Sequence, residues 1–335
     1  MGEDLGNGRR RRAGPHSPSG LKLTAAVLLG LVSVSCAADR RIWFAPNLAS
    51  RDMVRLFTHP KEWQETRKHV GVFQFYAAQL GAADDCPECG ENDLAHFEAA
   101  NAFKRLDDWG LAMGVEVPAI KEWECVADAT VPLVERVTSR VHAAGVEVAF
   151  LVMDEPLLGG ERCGQKRDAT ADEVARYLSS LRSALPGVSM GDVEPYPHFD
   201  ATEIVDWLDA LSSRGTPVAF LHLDVDRPRA AVLAKDVAGD LATLRAACEE
   251  RGIPLGVIFW GGDGLDEAGY AADVLGWVDA VKEAIGAPAH IVFQSWSVSP
   301  TGLREVPLNL PEDSPDIWTH TRLIREGLRR LDDGP

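Results

Sequence analysis

Eight short runs rich in β-branched and aromatic residues recur along the chain. They lie at residues 42–46, 69–75, 112–117, 146–153, 188–193, 218–225, 253–259 and 291–296, each bounded by turn-forming residues. Between them the apolar positions shift to the helical period, at 91–108, 131–144, 171–185, 202–214, 232–251, 265–285 and 318–331. Some runs, such as Val148-Ala149-Phe150-Leu151-Val152-Met153, are apolar throughout, as parallel strands covered on both faces are. Gly110, Gly145, Gly187, Gly215 and Gly252 stand where helices give way to strands, a position that favours a left-handed residue. Eight strand-then-helix units between residues 41 and 335 predict a single-domain (β/α)8 TIM barrel of the α/β class. The competing doubly wound sheet would carry a glycine-rich turn after its first strand, and Asn47-Leu48-Ala49-Ser50-Arg51 contains no glycine. No linker or shift in composition suggests a second domain.

Residues 1–36 stand outside this pattern. A basic block, Arg9 to Arg12, precedes an apolar run at 23–34 that is short for a membrane span but suits the core of a signal peptide. Ser33-Val34-Ser35-Cys36 then offers a small-residue cleavage site, and it resembles a lipobox in which Cys36 would be acylated. The chain is therefore expected to be exported, either extracellular or held at the cell surface by lipid. Its formal charge is −17; losing five basic and two acidic residues with the leader would leave −20. Such a body repels nucleic acid and anionic lipid, leaving neutral or cationic partners. No motif calls for a cofactor, and a monomer is expected.

Barrel chemistry gathers where strands end on their C-terminal side. Those ends read Asn47; Gln74 and Tyr76; Glu116; Asp154 and Glu155; Asp192 and Glu194; His222, Asp224 and Asp226; Trp260; Gln294 and Trp296. One aspartate at such a place commonly caps the next helix. Acids at four adjacent ends point instead to a polar site. Trp260, Trp296, Trp123 and Tyr196 add aromatic surfaces on the same face, against which the C–H faces of sugar rings can lie. The polar, proline-bearing segment 298–315 could wall such a groove.

Val152-Met153-Asp154-Glu155-Pro156, after the fourth strand, resembles the Asn-Glu-Pro motif of retaining glycoside hydrolases of the large (β/α)8 clan. The resemblance implies that Glu155 is a general acid/base and that the substrate is a poly- or oligosaccharide. The chain departs from that family twice: Asp154 replaces the asparagine, and Val257-Ile258-Phe259-Trp260-Gly261 lacks the nucleophile glutamate of the seventh strand. Cleaving a glycoside needs one neutral and one ionised carboxyl flanking the bond. Glu194 and Asp224 are the expected partners of Glu155, and a wider pair with water between would invert the anomeric centre.

Cys86, Cys89, Cys125 and Cys163 all fall in loops on this face, and in an exported chain they are expected to form two disulfides rather than a zinc site. Cys248 falls in a helical pattern and is expected to be a buried thiol. Two further readings compete. A metal-dependent barrel resembling sugar isomerases and endonucleases would use Glu155, Asp192 or Glu194, and His222 or Asp224, but offers Gln294 where that family has an acid. A non-catalytic carbohydrate-binding barrel would account for the missing acid on the seventh strand.

Overall fold

The computed structural model describes residues 41–81, 86–262, 265–295 and 308–332. The expected leader, Cys36 and Trp296 lie outside them. The strands are β1 Arg41–Ala45, β2 Val72–Tyr76, β3 Ala112–Val117, β4 Val148–Asp154, β5 Ser189–Tyr196, β6 Leu221–Val225, β7 Leu255–Phe259 and β8 His290–Gln294. All pair in parallel and in chain order, and β8 closes on β1 from Arg41↔His290 to Ala45↔Gln294. The fold is the closed eight-stranded α/β barrel that the alternation predicts.

The departures are local. Residues 91–108 form two helices, Leu94–Ala99 and Ala102–Trp109, because Asn101 turns left-handed at φ 53°. The helix read at 232–251 begins only at Val237, because Val232 ends a separate short helix, Arg227–Val232, and Ala234 at φ 51° stands between the two. β2 starts at Val72 because His69 and Val70 still close the preceding turn, bonding to the carbonyls of Thr66 and Arg67. Gly110 (φ 67°) and Gly252 (φ 64°) end their helices in the left-handed region, as their placement suggested.

Alternation along the strands separates two apolar shells. Phe44, Phe73, Phe75, Val115, Leu151, Leu223, Phe259 and Phe293 pack outward under the helices. Trp43, Val72, Phe150, Val152, Val193, Phe220, Ile258 and Val292 fill the barrel from within. Low in this plug His222 and His290 meet, Nε2 to Nδ1, at 3.0 Å, and the His222 ring stands edge-on to Trp43 with centroids 4.8 Å apart. Gly256 makes room for them, since a Cβ there would lie 2.5 Å from the His222 ring. Burial disfavours the charged imidazolium and holds both histidines below their ordinary value. The interior is therefore packed, and only its upper rim is open to polar chemistry.

Two buried carboxylates tie the chain returning from β8 to the β1–β2 connection. Asp52 accepts the backbone N–H of Asn309 (2.9 Å) and of Leu310 (3.0 Å), and the Asn309 amide (2.9 Å). Glu312 accepts the N–H of Glu65 at 2.9 Å and both the N–H and hydroxyl of Thr66 at 2.6 Å. Each strap satisfies donors that a buried loop could not otherwise leave unpaired.

Candidate active site

The residues that point inward at the strand ends build the site. β2 contributes Gln74 and Tyr76, β3 Glu116, β4 Asp154, β6 Asp224 and β8 Gln294. Glu116 accepts from Gln74 Nε2 at 3.0 Å and from Gln294 Nε2 at 3.1 Å, and Gln294 also donates to the Tyr76 hydroxyl at 3.2 Å. Burial, reinforced by the charge of Asp154, pushes Glu116 well above the carboxylate range. It is the hub of the rim's hydrogen bonds.

Asp154 forms an ion pair with Lys121, Oδ2 to Nζ, at 2.5 Å. Next in the chain, Glu155 adopts a left-handed backbone (φ 50°) before Pro156 opens the helix Pro156–Arg162. A non-glycine residue held there stores strain of order 1–3 kcal/mol, a cost met most often at functional positions. The backbone is fixed by Glu155 N–H to the Val193 carbonyl (3.1 Å) and Gly159 N–H to the Glu155 carbonyl (2.8 Å). Among the described residues, none hydrogen-bonds the Glu155 carboxyl. Burial, and then the charge of Asp154, pushes it up to about 7; Lys121 and Arg162 act in the opposite sense.

Asp224 is also pushed up to about 7, by burial and then by the charge of Glu155. Trp260 Nε1 donates to its Oδ1 at 2.7 Å. An indole N–H can only donate, so it favours the ionised form of Asp224. Trp260 is itself propped by Arg227, whose guanidinium lies 5.7 Å from the ring centroid, bonds the Trp260 carbonyl and pairs with Asp273 at 2.7 Å.

A cavity of about 710 Å³ opens above this layer, lined among others by Tyr76, Glu116, Lys121, Trp123, Asp154, Glu155, Asp224 and Gln294. A second, also about 710 Å³, is lined by Glu155, Arg162, Tyr196, His198, Asp224, Asp226, Arg229, Val232 and Trp260. Glu155 and Asp224 border both.

Several expected site residues stand elsewhere. Asp192 and Glu194 do share one side of β5, but it is the outer side, because Val193 between them faces the barrel interior. Asp192 is buried against Trp207, whose Nε1 donates to it at 2.8 Å, and Glu194 accepts the N–H of Leu157 at 2.8 Å. Glu194 thus steadies the start of the helix Pro156–Arg162 and does not face the cavity with Glu155. His222 belongs to the packed floor. Asn47 is buried and uses its Oδ1 to hold its own turn through Ala49 N–H at 2.8 Å. Gln74 reaches the cavity only through Glu116. Tyr196 edges the second cavity while its hydroxyl is engaged with Asp240 at 2.5 Å. The alternative metal set is dispersed over these layers, and among the described residues no three His, Cys, Asp or Glu side chains are grouped so as to hold an ion.

Lys121 was missed. It sits four positions beyond β3 in the tract Lys121-Glu122-Trp123-Glu124, and a cation amid acids on a reactive-face loop was the available signal. The loop cysteines form two disulfides, Cys86–Cys89 and Cys125–Cys163. Cys125–Cys163 ties the Lys121 loop to the end of the helix that follows Glu155. Cys248 is a free, buried thiol.

No family model matches the chain, and no curated protein matches it. Solved structures with a similar course include the glycoside hydrolase domain of PelA from Pseudomonas aeruginosa, 12% identical over 78% of this chain and 94% of that one, TM-score 0.45. A GH30 endoxylanase from Clostridium papyrosolvens is 9% identical over 89% of this chain and 72% of that one, TM-score 0.49. A 2,3-dimethylmalate lyase of the PEP mutase/isocitrate lyase superfamily is 13% identical over 76% of this chain and 74% of that one, TM-score 0.40.

Proposed function

We propose that the protein is an exported glycoside hydrolase in which Glu155 is the general acid and Asp224 the general base. The observation that carries this reading is the pair itself. One carboxyl is without a hydrogen bond among the described residues and beside an anion, the other is held by an indole N–H, and both border the same open space. Glu155 gives its proton to the glycosidic oxygen as the bond from that oxygen to the anomeric carbon breaks. Water supplies the new oxygen at that carbon and yields a proton to Asp224, so one water is consumed and two hydroxyl ends are released. The rim amides and the Asp154–Lys121 pair offer hydrogen bonds to sugar hydroxyls, and Trp123, 67% exposed, offers an apolar face at the edge. Two disulfides suit an oxidising compartment, and among the described residues no helix is long and apolar enough to cross a membrane.

Incubation with a glycan library, followed by detection of new reducing ends, tests the reading. NMR of the first-formed anomer should show inversion. Saturable glycan binding with no product from any glycan would support the carbohydrate-binding barrel instead.

The pH profile gives a sharper check. The working state has Glu155 protonated and Asp224 ionised, so kcat/KM should fall on the acid side as Asp224 gains its proton and on the alkaline side as Glu155 loses its own. A bell near neutrality is expected. Asp154→Asn removes an anion beside Glu155 and leaves the Lys121 charge uncompensated; both lower the Glu155 pKa and move the alkaline limb to lower pH. Lys121→Met removes a cation and moves the same limb to higher pH. Each displacement should be about one pH unit. Limbs moving in the same direction in both variants would remove Glu155 as the acid.

A further inference from the structure

We infer that the substrate lies across the Glu155–Asp224 pair, so that the enzyme cuts internal linkages of an oligosaccharide instead of only trimming chain ends. This rests on the hydrolase reading above and adds to it where the scissile bond sits within the sugar chain.

The two carboxyl residues form the boundary between the two cavities. A single blind pocket with its acids near the closed end would suit the removal of single terminal units. Here each side offers about 710 Å³, and volumes of roughly 300–1,000 Å³ accommodate small-molecule ligands. The two linings are otherwise different. Tyr76, Glu116 and Gln294 present hydroxyl, carboxyl and amide groups on the first side, whereas His198, Arg229 and the exposed Val232 stand on the second. Trp260 joins the halves, since it lines the second cavity and holds Asp224 through its indole N–H. Sugar units bound in the second cavity therefore press on the side chain that orients the base. Binding energy from units remote from the broken bond can in this way appear in kcat as well as in KM.

The test uses the full-length mature protein and reducing-end-labelled oligomers, two to six units long, of whichever library glycan is hydrolysed best. Internal cleavage products are expected, with kcat/KM rising about tenfold or more from the dimer to the tetramer. Arg229→Ala and Val232→Asp, both on the outer part of the second cavity, should lower kcat/KM for the longest oligomers by about tenfold and shift the positions of cleavage. Release of single units from one chain end, at a rate independent of length, would overturn this inference while leaving the hydrolase reading intact. Absence of product from every glycan would sink both.

Discussion

Glu155→Gln should leave the barrel folded and lower kcat by roughly 10²–10⁴-fold, the range that a positioned general acid supplies. The expectation of an intact fold follows from the contacts. Among the described residues the carboxyl has no hydrogen bond to lose, and the left-handed turn is held by backbone bonds that the substitution does not touch. Glutamine matches glutamate in shape but cannot deliver a proton at neutral pH. Thermal unfolding should therefore stay close to that of the parent, and glycan affinity should persist. Near-normal turnover in this variant would end the assignment. Asp224→Asn should cost a similar factor while keeping an oxygen for Trp260.

The largest expected loss of stability lies away from the cavity, at Asp52. Its carboxylate is the acceptor for two backbone N–H groups and one side-chain amide, all buried. Asp52→Ala would strand these donors, each at about 1–3 kcal/mol, for a total on the order of 3–5 kcal/mol after some relaxation. In a domain of this size that corresponds to a fall in Tm of about 10 °C. Asp52→Asn, which retains acceptor oxygen, should fall between the two. If Asp52→Ala melts within a degree of the parent, the segment 308–312 is not held as described.

Most of the architecture was legible in the sequence, because a barrel repeats one unit and each unit writes its own period. Strand and helix boundaries moved by a few residues where a single left-handed residue, Asn101 or Ala234, broke a helix without disturbing its apolar spacing. The site was legible in part. Parity along β5 correctly put Asp192 and Glu194 on one side, but parity alone does not say which side is the interior. That depended on Gly191 and Val193 sharing the inner layer, where a Cβ on Gly191 would lie 2.0 Å from the Phe220 ring. His222 sat at a strand end by sequence yet low in the barrel, because its pairing partner, His290, opens β8. Lys121 went unread because loop residues carry no periodicity from which to infer direction.

The Cys125–Cys163 bridge separates the making of the barrel from the making of its mouth. Burial of two apolar shells closes the strands without help from sulfur, whereas the loop with Lys121 and the helix that follows Glu155 are joined by a covalent link spanning 38 residues of sequence. A chain matured in a thiol-rich environment would thus keep its secondary structure but lose the fixed distance between Lys121 and the acids Asp154 and Glu155. On the export and hydrolase activity proposed above, oxidation in the receiving compartment would then act as the final assembly step of the mouth, confining the proposed activity to that compartment.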